Sequence, residues 1–454
     1  METVSSGSQY FARASLPSYR MRIRQSRGLC DPTVKQYSGY LDVSEDKHLF
    51  FWFFESRKDP HKAPLAAWMN GGPGGSSALG LLMENGPCNI VSSNTTARNP
   101  YAWNEVANMF FLDQPAGVGY SYSTSDHLVD TTWEAAKDFY AFLQLFLRRF
   151  PQYSERPFHV LSESYGGQYA PNFANYANRR NKANRALAHP KYQHINLQSV
   201  LIVNGMVSPR IQAETNPDFA CSGPYAFWDN DGPHCKMLRS RIPRLRQLFE
   251  QCKDFETPLT CIPAVIFAFA AMDEGFEASF LYDIRKSCND PVVCYDQMGY
   301  AQAYLNSSDV KIALGVPADY NYSWLNMDIN GAFFRAADVS HDASPMIQEL
   351  LEDGIRVLNL AGDTDFACNF IGAFEWMYRL ESKYAEFRSL NNTIWKLNGK
   401  PVGEFRASAD EGGKTAGNFT WLRVYEAGHM VPHDQPEVAL EFFRKWIDNK
   451  PLAE

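Results

Sequence analysis

A serine lies at the apex of a predicted strand–turn–helix, in the segment Ser162-Glu163-Ser164-Tyr165-Gly166. Apolar residues at 158–161 predict a buried strand before it, and a sharp turn of this kind lifts a serine hydroxyl above the edge of a sheet. The turn requires small residues two positions before and after the serine, and Ser162 and Gly166 meet that requirement, although glycine is commoner at the first position. The segment therefore predicts Ser164 as a nucleophile for acyl transfer.

Two later strand ends supply an acid and a base. Residues 357–360 predict a buried strand that leads into a turn with Asp363 and Asp365, and residues 422–425 predict another strand, followed by His429. The order Ser, Asp, His is that of α/β-hydrolases. His429 would take the serine proton and return it to the leaving group, while an aspartate orients the imidazole. The residues alone do not decide which of the two aspartates orients the imidazole. The alternative for Asp363 is that its side chain caps the turn.

A glycine-rich turn at 70–77 follows another predicted strand at 64–69. Glycines let backbone N–H groups approach a ligand closely, and in acyl transfer such a turn donates to the tetrahedral oxygen. We expect the oxyanion hole to consist of the N–H groups of Gly72 and Tyr165. The turn lacks both the Gly-Lys-Ser/Thr ending of a P-loop and the Gly-x-Gly-x-x-Gly spacing, which argues against nucleotide binding.

Alternating strand and helix patterns predict an α/β fold with a mostly parallel central sheet and helices on both faces. Clear helical patterns occupy 133–150 and 437–448, whereas the alternation breaks between 206 and 342, where six of the nine cysteines lie. We expect a disulfide-stapled cap there, with residues 262–271 as a buried helix. The predicted organisation is a first core part at 1–205, an inserted cap at 206–342 and a second core part at 343–454.

Composition excludes several classes of partner. The chain of 454 residues has a formal net charge of -8 and no long basic run, which argues against nucleic acid. No stretch of eighteen apolar residues is present, so no membrane span is expected. Residues 1–27 lack the apolar core of an export signal, and we therefore expect that this chain lacks the signal or that the protein is not exported.

The chain resembles the serine carboxypeptidases, and specifically their fungal secreted or vacuolar branch. The matching stretches, beyond the serine turn, are residues 36–42, 68–77, 111–121, 362–372 and 428–432. The resemblance implies an α/β-hydrolase fold, release of C-terminal residues from peptides at acid pH, a triad of Ser164, Asp365 and His429, and no cofactor. The absence of Cys-x-x-Cys also argues against a metal site.

By the same resemblance, the terminal carboxylate of the substrate is bound by Asn70, Glu84, Glu163 and the N–H of Gly71. Carboxyl groups crowded in a partly desolvated pocket have raised pKa values, so the two glutamates can stay protonated and donate hydrogen bonds to an anion. The remaining expected pocket residues fall into two groups. The leaving residue would contact Leu79, Met83, Cys368 and Met430, and the acyl side would contact Tyr165, Val339 and Ala367.

The resemblance also implies three disulfides, and a fourth pair follows once they are assigned. The implied pairs are Cys221 with Cys235, Cys252 with Cys261, and Cys288 with Cys294, after which Cys30 is expected to pair with Cys88 and Cys368 to remain free. Five sequons for N-glycosylation stand at Asn94, Asn306, Asn321, Asn391 and Asn418. Cysteine pairs and sequons together favour passage through the secretory pathway. The sequence does not indicate the oligomeric state.

Two other function classes stay open. An acyltransferase of the same fold would pass the acyl group to a small molecule. An esterase or amidase of that fold would release the acyl group from a small molecule. A non-catalytic binding or chaperoning partner is the second alternative. Glu163 argues against the acyltransferase, because plant acyltransferase relatives usually carry aspartate there, and an intact set of Ser164, Asp365 and His429 argues against the binding partner.

Overall fold

The computed structural model describes residues 9–13, 16–26, 28–42, 46–125, 128–273, 281–286, 295–408 and 414–453. Most of its strands form one large sheet. The strands are β1 (Gln9–Arg13), β2 (Leu16–Ser26), β3 (Gln36–Asp42), β4 (Lys47–Phe54), β5 (Leu65–Met69), β6 (Cys88–Ser92), β7 (Thr95–Arg98), β8 (Asn108–Leu112), β9 (Tyr122–Ser123), β10 (Phe158–Glu163), β11 (Leu197–Val203), β12 (Arg356–Gly362), β13 (Thr393–Leu397), β14 (Lys400–Ser408) and β15 (Phe419–Val424).

Helices follow or interrupt these strands along the chain. They are α1 (Ala78–Met83), α2 (Thr132–Arg149), α3 (Gly166–Arg185), α4 (Pro209–Glu214), α5 (Asn216–Ser222), α6 (Pro233–Phe255), α7 (Pro258–Asp273), α8 (Asp296–Asn306), α9 (Ser308–Leu314), α10 (Met327–Arg335), α11 (Ser344–Glu352), α12 (Phe370–Arg379), α13 (Val431–Asp434) and α14 (Pro436–Ile447). No helix in the described ranges is long and apolar enough to cross a bilayer.

The large sheet has the strand order β1-β2-β3-β4-β8-β5-β10-β11-β12-β15-β14-β13, with β9 paired to β4. The central run from β8 to β15 is parallel, as predicted from the apolar strands. The strands on either side of that run pair antiparallel. Because the carboxyl ends of parallel strands meet at one edge, the loops after β5, β10, β12 and β15 lie together there.

Helices cover both faces of the sheet. In β4, Phe51 and Phe53 point into a core shared with α2 and α3, whereas Trp52 and Phe54 point into the opposite core with α1 and α14. This alternation follows from the two-residue period of a strand. Because both faces of the central strands are buried, their sequences are continuous apolar runs. The fold is therefore an α/β sandwich of three layers, as predicted.

The predicted cap interval contains α4 to α10, and two of the expected disulfides hold its helices. Cys221 in α5 is bonded to Cys235 in α6, and Cys252 in α6 to Cys261 in α7. Cys30 is bonded to Cys88 as expected, while the expected pair Cys288–Cys294 lies outside the described residues.

The helix expected at 262–271 is present within α7, but it is buried on one face only. Val265 and Ala268 are buried, whereas Ile266 is 54% exposed and Leu259 is 88% exposed. The extent of burial could not be predicted because α7 is apolar on all sides, and hydrophobic periodicity cannot then distinguish its inner face from its outer face.

Candidate active site

Ser164 follows β10 at the turn into α3 and has a left-handed backbone, with φ of 62°. Its carbonyl oxygen accepts hydrogen bonds from the N–H groups of Gly167 and Met206, both at 2.9 Å, which hold the turn. A Cβ on Gly166 would lie 2.5 Å from the Cβ of Ser162, so only glycine fits at that crossing. Ser162 itself is accommodated, because its hydroxyl donates to the carbonyl of Gly166 at 2.8 Å.

His429 lies after β15 and contacts Asp365, which lies after β12. The Nδ1 of His429 donates to Oδ2 of Asp365 at 2.8 Å, and the Asp365 side chain is fully buried. This bond fixes the tautomer that leaves the Nε2 of His429 as the proton acceptor for a nucleophile. Asp363 is occupied elsewhere, accepting from the hydroxyl of Tyr225 at 2.7 Å and lying 3.5 Å from Arg423.

Asn204, at the end of β11, is a positioning residue that the sequence did not reveal. Its Nδ2 donates to Oδ2 of Asp365 at 2.7 Å, and its Oδ1 accepts from the N–H of Gly362 at 3.1 Å. The N–H groups of Ala367 and Cys368 complete the shell around Asp365, at 3.0 and 3.3 Å. The available signal was a polar residue directly after an apolar parallel strand, at the same sheet edge as Ser164.

A short segment of the cap interval, residues 281–286, joins the loops of the acid and the base. The carbonyl of Leu281 accepts from the N–H groups of Phe366 and Ala367 at 3.0 and 2.8 Å, and the carbonyl of Tyr282 accepts from the N–H of His429 at 2.7 Å. The Tyr282 ring also lies 4.7 Å from the imidazole, centroid to centroid. The position of His429 therefore depends on this segment as well as on β15.

The glycine-rich turn lies directly against the serine turn. A Cβ on Gly71 would be 2.3 Å from the backbone nitrogen of Tyr165 and 2.9 Å from the Cβ of Ser164, so the approach requires glycine. Gly72 has φ of 112°, a conformation that glycine adopts without strain. The glycine-rich turn and the serine turn are thus in close contact, which the predicted oxyanion hole requires.

Asp113, which follows β8, holds the glycine-rich turn in place through hydrogen bonds. Its carboxylate accepts from the hydroxyl of Ser76 at 2.7 Å and from the N–H groups of Ser77 and Tyr120, both at 2.9 Å. Burial raises the pKa of Asp113 to about 6. Asp138 on α2 is a second buried carboxyl group whose pKa burial raises to about 6.

These two carboxyl groups contribute more to the stability of the protein in acid than at neutral pH. A raised pKa means that the folded state binds the proton more tightly, so the stabilisation is complete below the unfolded pKa near 3.8 and is lost as pH rises through about 6. For Asp113 the difference corresponds to about 3 kcal/mol. We expect Asp138→Asn to gain melting temperature relative to the parent as pH rises from 4 to 7, because the parent loses the contribution of protonated Asp138 over this range. A difference between the two proteins that does not change with pH would contradict the prediction.

Asn70, Glu84 and Glu163 form one buried polar cluster beside Ser164. The Nδ2 of Asn70 donates to Oε1 of Glu84 at 3.3 Å and to Oε1 of Glu163 at 3.2 Å. Its Oδ1 accepts from the indole of Trp68 at 2.8 Å and from the N–H of Gly80 at 3.0 Å, which sets the orientation of the amide.

The two carboxyl groups of this cluster favour the protonated form. Burial raises the pKa of Glu84. Burial and the neighbouring charge of Glu84 raise the pKa of Glu163 well above its ordinary value. The Oε2 atom of each residue is buried without a bond to any other described residue, and the two carboxyl groups lie close enough to share a hydrogen bond with each other. A fully protonated pair still has a proton to donate to an anion.

The structure locates the expected pocket residues. Cys368 lies on the wall of the pocket that contains Val339 and Ala367, although it was grouped with Leu79, Met83 and Met430. Met83 lines a separate pocket with Glu84, and Leu79 and Met430 are buried. The assignment of each residue to one side of the scissile bond therefore stays a prediction.

Cys368 is a free, buried thiol close to the acid and the base. Its Sγ, one carboxylate oxygen of Asp365 and one ring nitrogen of His429 all lie within 4.8 Å of one another. Burial and the charges of Asp365 and Glu163 raise the thiol pKa well above its ordinary value, so Cys368 is protonated and is not a nucleophile.

We expect a bulky mercurial to inhibit the protein through Cys368, because the modified sulfur would fill the pocket next to His429. Cys368→Ser should retain appreciable activity and become resistant to the mercurial. Activity on a small ester, measured with and without the reagent, tests both statements. Equal mercurial inhibition of Cys368→Ser and the parent would show that the reagent acts elsewhere.

Comparisons with known proteins agree on one family. A family model described as serine carboxypeptidase matches residues 28–449. Carboxypeptidase Y homolog A of Phaeosphaeria nodorum is 41% identical over 425 residues, covering 92% of this chain and 74% of that protein. Carboxypeptidase Y of Candida albicans is 40% identical over 439 residues, covering 96% of this chain and 77% of that protein.

A solved structure shows the same fold. The prohormone-processing carboxypeptidase Kex1(delta)p of Saccharomyces cerevisiae superimposes with a TM-score of 0.75 at 23% identity, covering 92% of this chain and 93% of that chain. At this level of identity the agreement is evidence about the fold alone.

Proposed function

The chain belongs to the serine carboxypeptidase family and is a serine-type carboxypeptidase, and we propose that it releases C-terminal residues from peptides through an acyl-enzyme on Ser164. Ser164 would attack the last peptide carbonyl while the Nε2 of His429 takes its proton. Asp365, bonded to Nδ1, would hold the ring and stabilise the imidazolium. The N–H groups of Gly72 and Tyr165 would stabilise the tetrahedral oxygen.

The second half of the reaction reverses these proton transfers. His429 would give its proton to the leaving amine, the peptide C–N bond would break, and the released amino acid would depart. Water would then attack the ester on Ser164, with His429 again as base, to release the shortened peptide and restore the serine.

The observation that carries the carboxypeptidase assignment is the buried cluster of Asn70, Glu84 and Glu163 beside Ser164. An endopeptidase or esterase needs no device for an anion next to the scissile bond, whereas a carboxypeptidase must bind the terminal carboxylate. Protonated glutamates and the Asn70 amide would donate to that carboxylate, with the Gly71 N–H as a further donor. Binding of this kind favours acid pH, because ionised glutamates would repel the substrate.

A residue-release experiment tests this function. A mixed pool of peptides with free C-termini, incubated at acid pH, should lose residues one at a time from the C-terminal end, while the same peptides ending in a blocked carboxyl group should be shortened more slowly. Internal cleavage would contradict the proposal. Transfer of an acyl group to an added alcohol without hydrolysis would identify an acyltransferase instead.

We further propose that residues 206–342 act as a cap over the strand ends and that the protein passes through the secretory pathway. The three disulfides support that route, since disulfides persist mainly in oxidising compartments. The sequons at Asn94, Asn321 and Asn391 are exposed and suit glycosylation, and the partly buried Asn418 is the fourth proposed acceptor.

Asn306 is expected to be the exception among the five sequons. Its Nδ2, the atom that a glycan would occupy, donates to the carbonyls of Gln302 and Tyr322 at 3.0 and 2.9 Å. Glycopeptide mapping of protein expressed through a eukaryotic secretory route should find glycans at the exposed sequons and an unmodified Asn306. A fully occupied Asn306 would mean that glycosylation precedes the formation of these bonds, contrary to the prediction.

A further inference from the structure

Four charged side chains lie beside the loops that carry the acid and the base. The cap segment 281–286 supplies three of them and α13 supplies the fourth; they are Asp283, Arg285, Lys286 and Asp434. Both carboxylates are buried, with 1% of the Asp283 side chain and 7% of the Asp434 side chain exposed. Each carboxylate therefore depends on its partners, because an unpaired buried charge is costly.

Asp434 connects the loop of the base to the cap segment. Its Oδ2 accepts from the N–H of Gly428, the residue directly before His429, at 2.7 Å. Its Oδ1 accepts from the Nζ of Lys286 at 2.9 Å, and a guanidinium nitrogen of Arg285 lies 3.5 Å from Oδ2. The carboxylate thus fixes the peptide group that leads into the base, while cations of the cap segment fix the carboxylate.

Asp283 makes the corresponding connection to the loop of the acid. Its Oδ1 accepts from the hydroxyl of Thr364, the residue directly before Asp365, at 3.0 Å. Arg285 donates to both oxygens of Asp283, at 2.8 and 2.7 Å. Burial alone would raise the pKa of Asp283, but the bonds from Arg285 outweigh that effect and lower the pKa, so this carboxylate stays ionised in acid.

Close backbone contact leaves the loop of the base little freedom to adjust. A Cβ on Gly428 would lie 2.6 Å from the carbonyl oxygen of Tyr282 and 2.8 Å from the Cβ of Asp283, so the loop passes directly against the cap segment. The next residue, His429, must keep its Nδ1 within bonding distance of Asp365, which is 2.8 Å away. A shift of the Gly428 peptide would therefore move the imidazole relative to the acid.

The four side chains line neither of the pockets beside the active site, so any effect on the reaction would pass through the loops. We propose that Asp434 positions His429 through the Gly428 peptide, and that the cations of the cap segment hold Asp434 in place. The inference rests on the proposed function, because it assigns a role in the proton transfer from Ser164. Loss of this bond should lower kcat and leave KM nearly unchanged, since substrate contacts are retained.

Substitutions of Asp434 separate the bond to Gly428 from the ion pairs. Asparagine keeps an oxygen that can accept from the Gly428 N–H, whereas alanine removes the bond and the charge together. With benzyloxycarbonyl-Ala-Leu and a small ester as substrates, we expect Asp434→Ala to lower kcat by about 10- to 100-fold, with KM within about threefold of the parent. Asp434→Asn and Lys286→Met, which remove only ion pairs, should each lower kcat by about three- to tenfold.

The rate at which a fluorophosphonate labels Ser164 is a second readout, because labelling requires the base but no bound peptide. In Asp434→Ala this rate should fall by about the same factor as kcat, and the fraction of protein labelled at completion should equal that of the parent. A purely structural role of Asp434 would instead lower the final labelled fraction and leave the rate of the remaining folded protein unchanged.

Glu349→Ala is the matched control, because Glu349 also joins two cations, Arg179 and Lys182, but lies on α11 against the distal part of α3. It should keep both kcat and the labelling rate. An unchanged kcat in a folded Asp434→Ala would overturn the inference, as would a loss confined to KM or to the final labelled fraction. Should Asp434→Ala fail to fold, parental kcat in both Asp434→Asn and Lys286→Met would overturn it.

The two readouts also separate this inference from the proposed function. Failure of the parent to release leucine from benzyloxycarbonyl-Ala-Leu, with Ser164 still labelled by the fluorophosphonate, would contradict the carboxypeptidase proposal. The labelling rates of the parent and of Asp434→Ala would then still decide whether Asp434 positions the base.

Discussion

Replacement of Ser164 by alanine is expected to abolish hydrolysis of peptides and esters, with kcat lowered by about a million-fold, the order found when a nucleophile of this kind is removed. The hydroxyl is the atom that forms the covalent intermediate, and no other side chain can replace it, because the nearby Cys368 thiol is protonated and buried. Folding should be unaffected, since Ser164 is only partly buried and its turn is held by backbone hydrogen bonds.

Ser162→Ala provides the matched control within the same turn. It removes a serine hydroxyl that bonds to the Gly166 carbonyl rather than one that faces the substrate, so activity should stay within about tenfold of the parent. A fluorophosphonate should label the parent and Ser162→Ala but not Ser164→Ala. Activity of Ser164→Ala within tenfold of the parent would exclude the acyl-enzyme mechanism.

The second large effect concerns pH and the substrate carboxylate. Because burial raises the pKa values of Glu84 and Glu163, the pair is protonated in acid and loses its proton only as pH rises through those raised values. Below that range both groups can donate to the terminal carboxylate, and above it they repel it. We expect kcat/KM for peptides with a free carboxylate to fall on the alkaline side, while kcat/KM for the matching amides and esters holds to higher pH.

Substitutions separate the charge of this cluster from its geometry. Glu163→Gln and Glu84→Gln introduce permanent donors and should flatten the alkaline fall for free peptides. Asn70→Ala should raise KM for free peptides by about 10- to 100-fold more than for amides, since a hydrogen bond to a charged group contributes roughly 1.5 to 3 kcal/mol. Profiles measured from pH 4 to 8 that coincide for peptides, amides and esters would falsify the carboxylate site.

The central strands and the order of the site residues could be predicted from the sequence because each depends on a local pattern. Strands such as β10 and β12 are buried on both faces and read as apolar runs. The edge strands were not predicted, since β14 has mostly half-exposed residues and includes Lys400, Glu404 and Arg406, so its pattern resembles a loop.

The parts of the site that could not be predicted are contacts between distant segments. Asn204 and Asp365 are 161 residues apart in the chain, and Asp113 reaches the glycine-rich turn 37 positions before it. Nothing in the neighbouring residues distinguishes Asn204 from an ordinary turn asparagine. Such hydrogen bonds become visible only when the sheet order has brought the strand ends together.

The backbone bonds of residues 281–286 to both Phe366 and His429 tie the proposed cap to the loops of the acid and the base, so we expect activity to depend on it. Removal of this segment would take away backbone bonds that hold the Asp365 and His429 loops, even if every core residue were retained. Engineering of this enzyme must therefore transplant the segment together with the core, and recovery of activity during refolding reports the docking of the cap as well as the formation of the sheet.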